Sequence, residues 1–105
     1  MDIKNQVYHF LQTIPKGKVV TYKFLAEKFK IHPRYVGKIM NQNQLPDVYP
    51  CYKVIKSDRT LGGYNGGVEI KIKRLSADGI HPKGNKIEEK YIRQGEQNLH
   101  PKFKI

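Results

Sequence analysis

Apolar residues recur at helical spacing from the start of the chain. Ile3, Val7, Phe10, Leu11 and Ile14 form one stripe, with Asp2 placed to cap it and Pro15-Lys16-Gly17 placed to end it. Val19-Val20 reads as a short extended piece. Thr21 is an N-cap for a second helix with Leu25, Ala26 and Phe29 inward. Lys30 to His32 is a tight connection, and Pro33 suits the first position of a third helix. On that helix Val36, Ile39 and Met40 share one face, while Arg34, Lys38 and Asn41 share another at i, i+4, i+7. Gly37 lies mid-helix, where it costs about 1 kcal/mol relative to Ala; such a glycine makes sense where something must approach the backbone closely. Two short helices around a tight turn, the second with a basic outer face, fit a helix-turn-helix. They fit an ordinary helical hairpin with a solvated charged face equally well.

The second half is less periodic. Asn41 to Tyr49 is a polar loop containing Pro46 and runs into Pro50-Cys51. Val54-Ile55 is apolar and expected to be buried, and Asp58-Arg59-Thr60 is a turn. Leu61 to Gly67 is a glycine-rich loop around Tyr64. A fourth helix is expected with Val68, Ile72 and Leu75 inward and Asp78-Gly79 at its end. Lys71 falls on the apolar side of that helix. Either it snorkels to water or it places an ammonium near the cysteine. Residues 80–105 are Lys-rich and weakly patterned. Lys86-Ile87 and Tyr91-Ile92 are able to pack back, and Lys86 to Lys104 otherwise reads as a solvated basic tail. The expected organisation is one domain over 1–105, with a core of about 3–79 and a basic extension over 80–105. No repeat or low-complexity segment is visible.

Charge narrows the function. There are 20 Lys+Arg against 9 Asp+Glu among 105 residues, a formal net charge of +11. An excess of this size repels itself in the folded state, so a neutralising partner is expected: phosphate backbone, anionic membrane or acidic protein. No apolar run approaches the roughly 20 residues of a membrane span, and Met1-Asp2-Ile3-Lys4 leads into an amphipathic pattern with no signal peptide visible. The single cysteine forms no internal disulfide and lacks the companions of a zinc site. His9, His32, His81 and His100 have no metal-ligand spacing, so neither metal nor cofactor is expected. These features describe a soluble intracellular monomer, cytoplasmic (nucleoid) or nuclear. A small basic ribosomal-type protein fits composition alone.

The chemistry centres on Pro50-Cys51-Tyr52-Lys53-Val54. A thiolate is the attacking form of cysteine, and a free thiol has a pKa of about 8.5, so a reactive site must lower it. Lys53, Lys71 and a helix N-terminus beside Pro50 are the candidate sources. The bland alternative is a buried small hydrophobe. For Tyr22 and Tyr64 the bland alternative is packing, although glycines flanking Tyr64 argue for a loop.

Several stretches taken in order resemble the C-terminal domain of the O6-alkylguanine-DNA alkyltransferases. They are Ile14-Pro15-Lys16-Gly17-Lys18-Val19-Val20-Thr21-Tyr22, Arg34-Tyr35-Val36-Gly37, Asn43, Pro50-Cys51-Tyr52-Lys53-Val54 and Leu61-Gly62-Gly63-Tyr64. The resemblance runs from Ile14 to Gly79, about two thirds of the chain. It implies a mainly α, winged-helix-like domain with a helix-turn-helix and a short extended wing region. It also implies a single-turnover DNA repair protein, partnered by duplex DNA containing O6-alkylguanine. A base inside a duplex cannot be reached, so such a protein must flip it out. The resemblance makes Cys51 the irreversible alkyl acceptor and Arg34 the finger that fills the space of the extruded base. Tyr22 crowds the rotating phosphate, and Gly37, Lys38 and Asn41 belong to the DNA-facing helix. Asn43 braces the loop, Pro50 and Lys53 flank the thiol, and Tyr64 and Asn65 line the guanine pocket. Lys71 and Asp78 match positions close to the sulfur.

Three positions depart from the family pattern. Tyr52 stands where His is usual, Lys53 where Arg is usual, and Asp78 where Glu is usual. In the family the His relays the thiol proton through water to the carboxylate, and Tyr is a poor base at neutral pH. The N-terminal domain most members carry is not in this sequence, and the connection before Arg34 is about two residues shorter than in human-type proteins. A non-enzymatic alkyltransferase-like protein that binds and flags alkylated guanine remains the rival reading; Cys51 argues against it and Tyr52 for it. A winged-helix transcription factor would need neither the Pro-Cys pair nor the Gly-Gly-Tyr loop.

Overall fold

In the computed structural model of the chain, residues 2–62, 64 and 67–93 are described. Four helices carry the fold: α1 (Ile3–Leu11), α2 (Tyr22–Phe29), α3 (Pro33–Asn41) and α4 (Val68–Ala77). Two short strands, β1 (Val20–Thr21) and β2 (Val54–Ile55), pair in parallel with Val20 opposite Val54 and Thr21 opposite Ile55. The domain is mainly helical, as expected. No described helix is long and apolar enough to cross a membrane.

Local chemistry sets the helix starts. Asp2 accepts a hydrogen bond from the Asn5 N–H at 2.9 Å, and Thr21 accepts one from the Phe24 N–H at 3.0 Å, each satisfying an otherwise orphaned donor. At α3, Pro33 occupies the first turn and the His32 ring Nδ1 accepts from the Arg34 N–H at 3.0 Å. His32 is therefore a cap, a task the sequence reading did not assign to it. α1 stops at Leu11, short of the expected Ile14: successive i→i−3 bonds from the N–H groups of Gln12, Thr13 and Ile14 tighten the chain into turns. Ile14 is still buried, outside the helix.

The parallel strands divide the interior. Side chains alternate across a strand, so Val20 and Val54 enter a core formed with α1, α2 and α3. Val19 and Ile55 enter a second core with Leu61, Leu75, Ile80, Ile87 and Ile92. This second cluster reaches past residue 79, where Ile87 and Ile92 were expected to be able to pack back: Ile80, Ile87 and Ile92 are buried, and Val19 bridges to Ile92. The Lys residues between them face solvent, which masked the apolar positions in the sequence. On α4 the expected inward face carries buried Lys71 and Leu75 and half-buried Ile72. Val68, the first residue of the helix on that same face, is 41% exposed.

Candidate active site

Cys51 opens a single 3-10 turn, Cys51–Lys53, between the loop after α3 and strand β2. The turn straddles both cores: Cys51 packs in the first, and Tyr52 packs against the second. The thiol is unoxidised and buried. The helix N-terminus expected beside Pro50 is only this one turn, and the Cys51 N–H is consumed by the Tyr49 carbonyl at 2.7 Å. The loop is fixed from behind. Buried Asn43 donates through Nδ2 to the Tyr49 carbonyl at 2.7 Å and accepts through Oδ1 from the Leu45 N–H at 3.0 Å. The Tyr8 ring stacks on Tyr49 at 5.1 Å, and its hydroxyl donates to the Ile39 carbonyl of α3 at 2.7 Å. Tyr8 thus joins the third helix to the cysteine loop, a link that no sequence motif marks.

Lys71 does not snorkel. It is fully buried and donates to the carbonyls of Val54 at 2.8 Å and Leu61 at 2.6 Å. Burial pushes its pKa down to about 8, while the neighbouring Cys51 acts to raise it. At neutral pH the amine still carries its proton, so the buried group that interacts with Cys51 is a cation. Tyr22 and Tyr64 approach the same thiol. In both, burial raises the phenol pKa first and Cys51 raises it further. The Tyr64 hydroxyl is buried with no hydrogen-bond partner among the described residues. Asn65, expected beside it, lies outside the described residues, as do Gly63 and Gly66.

Lys53 and Asp78 meet each other. Lys53 is 3% exposed, with Nζ 2.9 Å from Asp78 Oδ2 and donating to the carbonyls of Ile14 at 3.3 Å and Pro15 at 2.8 Å. The same Asp78 oxygen accepts from the Gly17 N–H at 2.9 Å, where Gly17 adopts φ +81°, a conformation suited to glycine. These groups pin the turn that follows Cys51 to the β1 approach and to the end of α4. Tyr52 is half-buried. Burial raises its pKa most and the Asp78 charge adds to that, against an opposing effect of Arg74. A phenol shifted upward takes up no proton from a thiol near pH 7. Arg74 itself bridges α4 to the cysteine loop, 2.7 Å from Asp47. No sequence signal paired these two residues.

Tyr22 also borders an open groove of about 840 Å³, whose lining includes Arg34 and Gly37 of α3 and Lys56, Ser57 and Gly62 from the segment after β2. Arg34 is exposed, and an added Cβ at Gly37 would meet nothing within 4 Å, so the surface there is open to a visitor. Lys38 and Asn41 are exposed on α3 but do not line the groove. Tyr22 is the residue shared between groove and thiol. Lys23, Lys56 and Ser57 belong to the groove and were missed, because isolated polar residues carry no pattern. Among the described residues no group of three His, Cys, Asp or Glu side chains is placed to hold a metal.

The described residues thus form four helices with a buried cysteine turn beside a groove whose lining includes Lys23, Arg34 and Lys56. Residues 2–80 match the family model described as 6-O-methylguanine DNA methyltransferase, DNA binding domain, and the chain belongs to that family. It is 51% identical over 70 residues to a methylated-DNA–protein-cysteine methyltransferase of Pyrobaculum aerophilum, covering 67% of this chain and 47% of that protein. It superposes on the O6-methylguanine-DNA methyltransferase of Pyrococcus kodakaraensis with a TM-score of 0.71 and 34% identity, over 76% of this chain and 47% of that one. It also superposes on S. pombe Atl1, crystallised with damaged DNA containing O6-carboxymethylguanine, with a TM-score of 0.75 and 25% identity. That match covers 87% of this chain and 94% of Atl1. The chain spans about half the length of the curated methyltransferases it matches.

Proposed function

We propose that this protein binds duplex DNA, extrudes an O6-alkylguanine and transfers the alkyl group to Cys51 once. The observation that carries the reading is a buried thiol that interacts with the Lys71 ammonium and with Tyr64, whose buried hydroxyl has no hydrogen-bond partner among the described residues. An orphaned buried hydroxyl costs about 1–3 kcal/mol, and a polar edge of an extruded guanine would relieve that cost. In the reaction Sγ attacks the alkyl carbon, the carbon–O6 bond breaks, and a thioether forms on Cys51. The electron pair leaves on guanine. The proton lost by the thiol balances the one guanine gains, so no cofactor or co-reactant is required. A thioether has no leaving group that the site displaces, so each molecule acts once.

The groove is where the duplex would lie. The α2–α3 pair acts as the helix-turn-helix, Gly37 allows close approach, and Arg34 replaces the extruded base in the stack, its charge held by the backbone. The turn over 56–60, whose Lys56 and Ser57 also line the groove, would serve as the wing. Tyr22, facing both groove and thiol, meets the phosphate that rotates as the base turns inward. Roles for Lys38 and Asn41 are limited to the outer phosphates, since they stand away from the groove lining. Lys71 is the activating cation. Lys53 and Asp78 position the turn.

The second reading, lesion binding without transfer, is favoured by the match to nearly the whole of Atl1 and by Tyr52 in the usual His position. A titration separates the two. With excess O6-methylguanine duplex, transfer should stop at one alkyl group per protein molecule. Tight lesion binding with no loss of alkyl groups from the DNA would favour the second reading.

A further inference from the structure

The chain continues past the residues matched by the family, and the continuation is built onto the groove's outer wall. The Ile87 N–H donates to the Arg59 carbonyl at 2.8 Å, and the Leu61 N–H donates to the Asn85 carbonyl at 3.2 Å. Thr60 and Lys86 form an antiparallel bridge, and Lys83 and Lys86 exchange both backbone hydrogen bonds, at 2.8 and 3.1 Å. Buried Ile80 and Ile87 hold this segment in the second core. Lys86 is therefore fixed against the 56–60 turn, whose Lys56 and Ser57 line the same groove as Arg34.

Both ammonium groups are exposed, and neither is in an ion pair among the described residues. By contrast, Lys83 and Lys90 share Glu88 at 3.6 and 3.9 Å. The nearby carboxylate, Asp58, is occupied by Thr60 through its N–H at 2.9 Å and its hydroxyl at 2.7 Å. Its carboxyl is held low first by those bonds and then by Lys56 and Lys86, so both cations stand by the same turn.

We propose that Lys56 and Lys86 form a second phosphate-contact point for duplex DNA, gripping the backbone across the groove from α3. This rests on the DNA-binding reading above, but it assigns a task to a segment beyond the matched region. A set of like charges held by backbone bonds, with the carboxylate beside it already hydrogen-bonded to Thr60, is matched by a polyanion.

The test is fluorescence-anisotropy binding of an undamaged duplex over a series of KCl concentrations. Wild type is compared with K56Q/K86Q and with K4Q/K28Q. The control pair removes the same charge from lysines that sit over the Tyr8 and Phe10 rings and do not line the groove. Each phosphate contact contributes roughly 0.9 to the slope of log K against log salt. The slope of K56Q/K86Q should fall by about 2, with K4Q/K28Q matching wild type. An unchanged slope in K56Q/K86Q, or an equal fall in both variants, overturns the second contact point while leaving DNA binding intact. A wild type that binds no DNA overturns both readings.

Discussion

Lys53 Nζ lies 2.9 Å from Asp78 Oδ2, with the two side chains 4% and 15% exposed. This pair joins the residue two positions after Cys51 to the end of α4. The Gly17 N–H and the carbonyls of Ile14 and Pro15 complete the coordination. The aspartate is one methylene shorter than the glutamate usual in the family, and it is committed to this clamp. Removing one partner of a buried pair leaves the other charge uncompensated, at about 3–5 kcal/mol. Asp78→Ala should lower stability by about that amount in urea unfolding. A midpoint equal to wild type would mean that the pair does not hold the turn.

Lys71 gives stability an unusual pH dependence. Its folded pKa of about 8 lies below the ordinary 10.5, so between these values the unfolded chain binds a proton that the folded one has released. Stability from this residue therefore rises with pH across that window. The rise should reach on the order of 2 kcal/mol between about pH 7 and pH 10, taking 1.36 kcal/mol per pKa unit. Paired denaturant curves of wild type and Lys71→Met isolate the effect, since the tyrosines, whose raised pKa values act above 10, are common to both. Parallel pH profiles for the two proteins would contradict a buried ammonium at this position.

The same ammonium should influence transfer. Lys71→Ala is expected to move the rate profile toward higher pH, because the positive charge beside the sulfur is gone. Tyr52→His is expected to raise the rate near neutral pH, by supplying the proton acceptor that a phenol with a raised pKa cannot be. Single-turnover kinetics across pH check both. If neither substitution alters the profile, the activating group lies elsewhere.

Much of this was legible in the sequence because it rests on local chemistry. Asp2, Thr21 and Pro33 announce helix starts through the donors they satisfy or lack, and the stripe from Ile3 to Leu11 is a matter of period. The order of short motifs around Cys51 identified the family. What the sequence hid depends on contacts between distant residues. Lys53 and Asp78 each resembled a catalytic group, and only the folded chain reveals that they neutralise each other. Ile80, Ile87 and Ile92 are spaced irregularly among lysines, so their common burial followed no period. Val68 was assigned inward by helical spacing, but it opens α4, and the burial of that face begins only one turn later, at Lys71 and Leu75.

Arg34 offers a test of flipping apart from binding. Its side chain is exposed at the groove and its backbone N–H is held by His32. Arg34→Ala should reduce repair of a lesion duplex by at least tenfold more than it weakens binding to undamaged duplex. Both are measurable on one preparation by transfer kinetics and anisotropy. Equal losses would reduce Arg34 to an ordinary phosphate contact.

The central claim is that Cys51 accepts the alkyl group. Intact-protein mass spectrometry after incubation with an O6-methylguanine duplex tests it most directly, with peptide mapping and Cys51→Ser as the control. The account predicts one added methyl group per molecule, located on the peptide holding Cys51 and absent from the variant. An unmodified protein that nevertheless binds the lesion duplex, or a methyl group on any other residue, would contradict it.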